Sequence, residues 1–454
     1  MSYYYYKMVK FGKVIGYGLL ALGIAGIFGC APAPPQAPVD VVNPPAPTNH
    51  IQPTSTTIVT PPEPKESVEK TDYSSIHDAF ASIEMIRAVG VAIDHGDINN
   101  DGIEDIIVGV RLLEEELAEI SFLAGNARGE FSEPYKLFNL PMIIESSLDL
   151  SVGDLDNDGD NDIIVGLVNF EDYSSFSVFK RISDNDPSTP LYSLPMRSQA
   201  YSTGDFTGPV VVIDDINQDG FQDFIFGNRV NETDDLDIRR VINEGSGYFF
   251  ISGGVIEIPM RRGSYPKAEC FDYDADGDND LFISIEDQKG EKGNIHFLKS
   301  YGSGNYGAPE KMIEFSMDEH TGVGFTVNDF NNDNMPDFVI AAKGFGSEYV
   351  NVLYHKSNVE TGGWDVIELA QFRMGIKTST VCTSFDANGD GNPDVVVGGR
   401  KFDTNLLYLY LYAGDSEGNL YIPQPIPEEI IEPLFEDIQT PSEQLSPQKS
   451  EEGI

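Results

Sequence analysis

Asp97-Ile98-Asn99-Asn100-Asp101-Gly102-Ile103-Glu104-Asp105 decides the reading of this chain, because its pattern returns five more times. The other copies begin at Asp154, Asp215, Asp272, Asp329 and Asp386, so successive starts are 57, 61, 57, 57 and 57 residues apart. Every copy has Asp at positions 1, 5 and 9, and Asp or Asn at position 3; position 6 is Gly in all but one copy, which has Asn334. A fixed period of this length marks one supersecondary unit repeated along the chain.

Strand-like segments flank each copy. Before the loops come Val89 to Ile93, Leu148 to Val152 and Val210 to Ile213; after them come short apolar runs such as Ile106-Ile107-Val108-Gly109 and Phe224-Ile225-Phe226-Gly227. Such β-branched or aromatic runs, ending in a small residue, read as buried strands. Alternating segments follow, such as Ile120 to Leu123 and Leu406 to Tyr412, then a glycine-containing turn and a last strand such as Tyr135 to Leu140. Four strands per unit, arranged radially, predict an all-β propeller whose strand edges are mostly protected. Six blades are expected, with a seventh, loop-free blade as the alternative. Two segments compete to close the ring, Phe80 to Ile86 and Leu420 to Pro427.

The loops read as sites for a hard cation. Side-chain oxygens at positions 1, 3, 5 and 9 suit an ion that takes six to eight oxygen ligands. Position 7 offers its backbone carbonyl, which leaves its side chain free to vary, and position 6 needs a sharp turn that Gly makes at least cost. The candidate ligands are Asp97, Asn99, Asp101, Ile103 and Asp105; Asp154, Asp156, Asp158, Asp160 and Asp162; and Asp215, Asn217, Asp219, Phe221 and Asp223. In the second half they are Asp272, Asp274, Asp276, Asp278 and Asp280; Asp329, Asn331, Asp333, Met335 and Asp337; and Asp386, Asn388, Asp390, Asn392 and Asp394. None of the loops contains His or Cys, which disfavours zinc and copper, and an all-protein oxygen cage suits Ca2+ better than Mg2+. An EF-hand is excluded: its position 12 is a bidentate Glu, and here it is Val108, Val165, Phe226, Ile283, Ile340 or Val397.

With these loops the chain resembles the FG-GAP/VCBS repeat family, whose integrin α-chain members form calcium-binding propellers. The resemblance runs from about residue 75 to 425 and implies about six structural Ca2+ sites on the positions just named. Asn334 is its one departure at the glycine.

The termini carry a different message. Residues 1–30 read as a signal peptide, with Lys7, Lys10 and Lys13 before an apolar stretch from Val14 to Phe28. Its end, Ile27-Phe28-Gly29-Cys30, resembles the bacterial lipoprotein processing site and implies lipidation of Cys30; an uncleaved signal anchor is the alternative. Residues 31–70 are proline-rich and read as an extended spacer. The propeller is assigned to 71–427, and 428–454 to an acidic tail without stable structure. The expected location is the cell envelope or surface, with the membrane held through the lipid alone.

Composition narrows the function. With 74 acidic and 29 basic residues, the formal charge is −45, which repels nucleic acid and attracts multivalent cations. The histidines at 50, 77, 95, 296, 320 and 355 lack metal-ligand spacing, and there is no nucleophile elbow or phosphate-cradling glycine loop. His95 reads as a structural neighbour of the first loop, and Cys270 and Cys382 as small buried thiols. The chain is expected to be a monomeric, non-enzymatic binding or adhesion module for a glycan or protein. A polysaccharide lyase or hydrolase and an envelope assembly scaffold are the alternatives. The lyase reading rests on Arg239, Arg240, Arg261 and Arg262 with Tyr248, Phe249 and Phe250; the longer spacing within 171–209 marks a place for a recognition loop.

Overall fold

A computed structural model of the chain describes residues 81–84 and 90–422, apart from 113–115, 143–146, 169–172, 183–190, 193–195, 198–200, 203–208, 231–232, 246–248, 262–263, 288–290, 320, 375–378 and 401–405. The signal segment, Cys30, the proline-rich stretch and the acidic tail lie outside the described residues. Within them there are strands and turns but no helix.

Blade I shows the plan. Val91–Gly96, Asp105–Leu112, Leu117–Leu123 and Tyr135–Pro141 pair in sequence order, each antiparallel to the next. The second strand is buried along nearly its whole length, as its apolar run predicts, whereas the fourth alternates toward solvent. A register shift between the third and fourth strands recurs in blades I, III, IV and V, with one extra residue on the fourth strand in I, IV and V and two in III, and it increases the local twist.

Six such blades form a closed ring. The first strands of blades I to VI are Val91–Gly96, Leu148–Gly153, Val210–Asp214, Lys267–Phe271, Gly324–Asn328 and Thr380–Phe385. Each lies beside the next, and the sixth returns to the first. The apolar cores sit between blades rather than within them. Val91, Ile106 and Leu123 pack with Val381, Val396 and Leu409, joining blade I to blade VI, and five further clusters join the remaining neighbours. Polar contacts join neighbouring blades through their first strands and loops as well. Ser151 Oγ and the Val152 N–H donate to Asp94 at 3.0 and 2.8 Å, the Val211 N–H donates to Asp149 at 3.1 Å, and Asn279 Nδ2 donates to Asp214 at 2.8 Å.

Both proposed closing segments take part in completing blade VI. Ala81–Glu84 pairs with the start of Leu406–Gly414, Ala81 opposite Leu409 and Glu84 opposite Leu406. Leu420–Tyr421 pairs with the other end of the same strand, Leu420 opposite Gly414. Blade II departs from the plan where the spacing lengthens. Its outer edge is two short pieces, Met196–Arg197 and Tyr201–Ser202, and Arg181–Ile182 pairs with Leu191–Tyr192 in an added hairpin. Much of the intervening chain lies outside the described residues.

Packing leaves one titratable group at a disadvantage. His355, on the third strand of blade V, is 7% exposed, and its Nε2 has no hydrogen-bond partner. Burial pushes its pKa down to about 4. The unfolded chain binds the proton near pH 6.5 and the folded one does not, so this residue withdraws stability as pH falls from about 6.5 to 4. His355→Leu is expected to remove that loss, about 3 kcal/mol at the acid end. The check is the difference in urea midpoint between variant and parent across pH 7 to 4; parallel curves would contradict it.

Candidate metal centres

Each loop joins the first strand of its blade to the second, and all six gather on one face of the ring. There they meet the turns between third and fourth strands of the following blades: a Cβ at Gly129 would lie 3.2 Å from Asn388 Cβ, and one at Gly418 would lie 2.4 Å from Asn331 Cβ. Loops also touch one another, as where Gln218 Nε2 donates to the Gly277 carbonyl at 2.7 Å.

One hydrogen-bond scheme repeats six times. The carboxylate at position 1 accepts the N–H of position 5 on one oxygen, at 3.0–3.1 Å, and that of position 6 on the other, at 2.8–2.9 Å. The position-5 carboxylate accepts the N–H of position 7 at 2.8–3.1 Å. Position 9 is the anchor. Its Asp is at most 1% exposed in every blade, and one oxygen accepts a backbone N–H at the end of the third strand, at 2.5–2.8 Å. In five blades the other oxygen accepts the N–H of position 2, as Asp105 does from Ile98 at 3.0 Å.

These bonds leave carboxylate oxygens with further acceptor capacity. In blades II and IV, one oxygen each from positions 1, 3 and 5 lies within 4.8 Å of the others: Asp154, Asp156 and Asp158, and Asp272, Asp274 and Asp276. Among the described residues, Asp156 Oδ1 is buried with no hydrogen-bond partner. Burial pushes the Asp105 and Asp162 carboxyls up to about 7, and those of Asp223, Asp280 and Asp394 up to about 6; nearby carboxylates add to the shift and backbone N–H donors oppose it. Oxygen-only donors, their convergence in two loops and the buried position-9 acids fit a hard divalent cation.

Sequence reasoning placed the tight turn at position 6, where φ runs from 63° at Asn334 to 91° at Gly159. It missed a second left-handed residue at position 4. Asn100, Asn157, Gln218, Ala275, Asn332 and Gly389 have φ of 56–73°. The signal was present: three Asn and one Gly among six residues is the composition that left-handed backbone favours.

The first strands also enclose a central cavity of about 240 Å³. Lys267 of blade IV reaches past blade III to pair with Asp149 of blade II, and both are largely buried. Glu269 lines the same space, its carboxyl pushed well above the usual range by burial, with the Asp94 and Asp149 charges adding. His95 stacks on Phe385 with ring centroids 4.7 Å apart, and its Nδ1 lies 2.9 Å from Thr383 Oγ1, which makes it the structural neighbour expected. Cys270 and Cys382 line the cavity as free thiols; Cys382 is buried and Cys270 half-buried, and burial pushes both thiols up.

The arginine–aromatic grouping is split: Arg240 lies opposite Ser252, diagonal to Phe250, but Arg261 is far along the strand. Phe249 opens the outer strand of blade III and packs on Phe224, whereas Arg261 lies just beyond the other end of that strand, bonded to Glu286 at 2.9 Å and Glu319 at 2.6 Å. Arg239 bonds to Asp237 at 3.1 Å. Arg262 and Tyr248 lie outside the described residues.

Residues 91–165 and 272–340 match the FG-GAP-like repeat family model, so the chain carries repeats of that kind. No curated protein matches it. Among solved structures it is similar to AofleA from Arthrobotrys oligospora, with a TM-score of 0.53 and 10% identity over 76% of this chain and 91% of that one. It is also similar to the fucose-specific lectin from Aleuria aurantia, with a TM-score of 0.51 and 13% identity over 76% of this chain and 98% of that one. At such identities the likeness is one of fold.

The position-9 anchor has a measurable weight. Asp105→Ala strips acceptors from the N–H groups of Ile98, Asn99 and Gly125 in a buried setting. The expected loss is roughly 3–5 kcal/mol in urea unfolding without added calcium. Asp101→Ala, at an exposed position, is expected to cost less than about 2 kcal/mol under the same conditions. Equal losses would contradict the anchoring role.

Proposed function

We propose that this protein is a calcium-stabilised propeller that binds a glycan, as a monomer held at the cell envelope by a lipid on Cys30. The observation that carries the calcium reading is the sixfold hydrogen-bond scheme that holds the position-1 and position-5 carboxylates in one loop, together with the convergence of three carboxylates in the loops of blades II and IV. In each blade the ion would be held by positions 1, 3, 5 and 9 and the carbonyl of position 7. It would supply charge compensation for buried acids and no chemistry. Bound calcium would tie the loop between first and second strands to the turns of the next blade, stiffening one whole face.

The glycan reading is supported by the fold, which a fucose-specific lectin shares. It is also supported by how two buried or half-buried cations are engaged. Lys267 is paired with Asp149, and Arg261 is held by two glutamates, so these cations already serve structure. The added hairpin of blade II starts from Arg181, whose N–H bonds to the position-9 Asp162. An ion in that loop would therefore order the base of the one insertion that breaks the ring's regularity.

If calcium stands at ten times its dissociation constant, linkage contributes about 1.4 kcal/mol per site, or roughly 8 over six independent sites. Calcium is expected to raise the melting temperature by roughly 5–15 °C, chelator to reverse the gain, and retention on a glycan array to fall with it. An unchanged melting temperature would sink the calcium reading. Array retention absent with calcium present, or release of unsaturated sugars from polysaccharide, would sink the lectin reading.

A further inference from the structure

The six loops are not equivalent, and the difference lies in a residue outside them. Just before the third-strand N–H that bonds to position 9, the blades carry Ala124, Lys180, Ile242, Lys299, Lys356 and Ala413 in turn. Blades II and IV are the two with Asp rather than Asn at position 3, and both have lysine here. Lys180 Nζ lies 3.0 Å from Asp156 Oδ2. Lys299 Nζ contacts Asp274 Oδ2 and lies 3.1 Å from Asp276 Oδ2. Blade V has lysine with Asn331 at position 3, and there Lys356 turns away to the Glu417 and Gly418 carbonyls, at 2.8 and 3.2 Å.

The position-3 side chains follow the same division. In the four Asn loops the amide oxygen folds back onto the position-5 N–H at 2.8–3.0 Å. In blades II and IV the position-3 carboxylate faces the ammonium instead. Asp276 then has both oxygens engaged, one by the Asp278 N–H and one by Lys299. In blade II a second cation joins, since Arg181 Nη1 lies 3.3 Å from Asp160 Oδ1.

We propose that Lys299 and Lys180 are built-in counter-ions that compete with a divalent cation for the loops of blades IV and II. The inference rests on the calcium reading above and divides its sites into two classes. Counting ligand charge alone, these two loops, with four ligand carboxylates each against three in the others, would bind calcium most tightly. With the ammonium on the oxygens an ion would use, they bind it most weakly, because entry means displacing a tethered positive charge or sharing carboxylates with it. In exchange these two blades keep their loops neutralised when calcium is scarce, while the loops without lysine contacts loosen.

The test is calcium titration of the full chain by calorimetry, with melting temperature in chelator as a second readout. The parent is expected to show a tight class of about four ions and a weak class. Lys299→Met should move one weak site into the tight class, with at least about a tenfold gain in its affinity, and Lys180→Met should do the same for blade II. Lys299→Arg, which keeps the charge, should titrate like the parent. Lys299→Met should also melt lower than the parent in chelator and regain the difference with calcium. Six equivalent sites in the parent, or a Met variant with unchanged class sizes and affinities, would overturn the proposal while leaving the calcium reading intact. A parent that binds no calcium would overturn both.

Discussion

The fold depends on a buried carboxylate that is never paired with a side-chain cation. In each blade the position-9 Asp accepts a backbone N–H from the end of the third strand, and in most blades another from the start of its own loop. Several N–H donors offset part of the cost of burying this acid, and burial still pushes its carboxyl up to about 6 or 7 in five blades. The arrangement fixes where the first strand stops, where the second begins and how far the third extends. The apolar clusters between blades then find their partners in register, since each blade presents its strands at the same height.

Much of this was legible in the residues. The period of the Asp pattern gave the number of blades, and the apolar runs after each loop gave the buried second strands. Closure could not be decided from sequence because two short segments each had a plausible claim, and the folded chain uses both on one edge: Ala81–Glu84 covers the start of Leu406–Gly414 and Leu420–Tyr421 its end. Neither segment alone spans that nine-residue strand. Register between strands was not read from the sequence, although the irregularity of blade III falls at Gly253-Gly254, the residue type that marks a bulge within a strand.

The candidate site was legible in its ligands but not in its surroundings. Asp and Gly at fixed offsets named the loop, yet the lysines that touch Asp156 and Asp274 lie 24 and 25 residues further on and enter only through the third strand. Position 4 shows the opposite failure: its left-handed backbone had a compositional signal that a search for ligands passes over. The arginine–aromatic grouping came together only in part. Residues close in sequence can sit at the two ends of one strand, and the outer strand of blade III separates Phe249 from Arg261 in this way.

Closure by a segment from the start of the chain has a consequence for how the molecule is made. Ala81–Glu84 cannot find its partner until Leu406–Leu409 has been synthesised, more than 300 residues later. At a translation rate of about 5–20 residues per second, that strand waits roughly 20–60 s with its edge exposed. Five blades can collapse pairwise in that interval, because their contacts are local in sequence. The join between first and last blades is the slow, all-or-none event, and an incomplete chain is left an open arc that offers an unpaired edge to its neighbours.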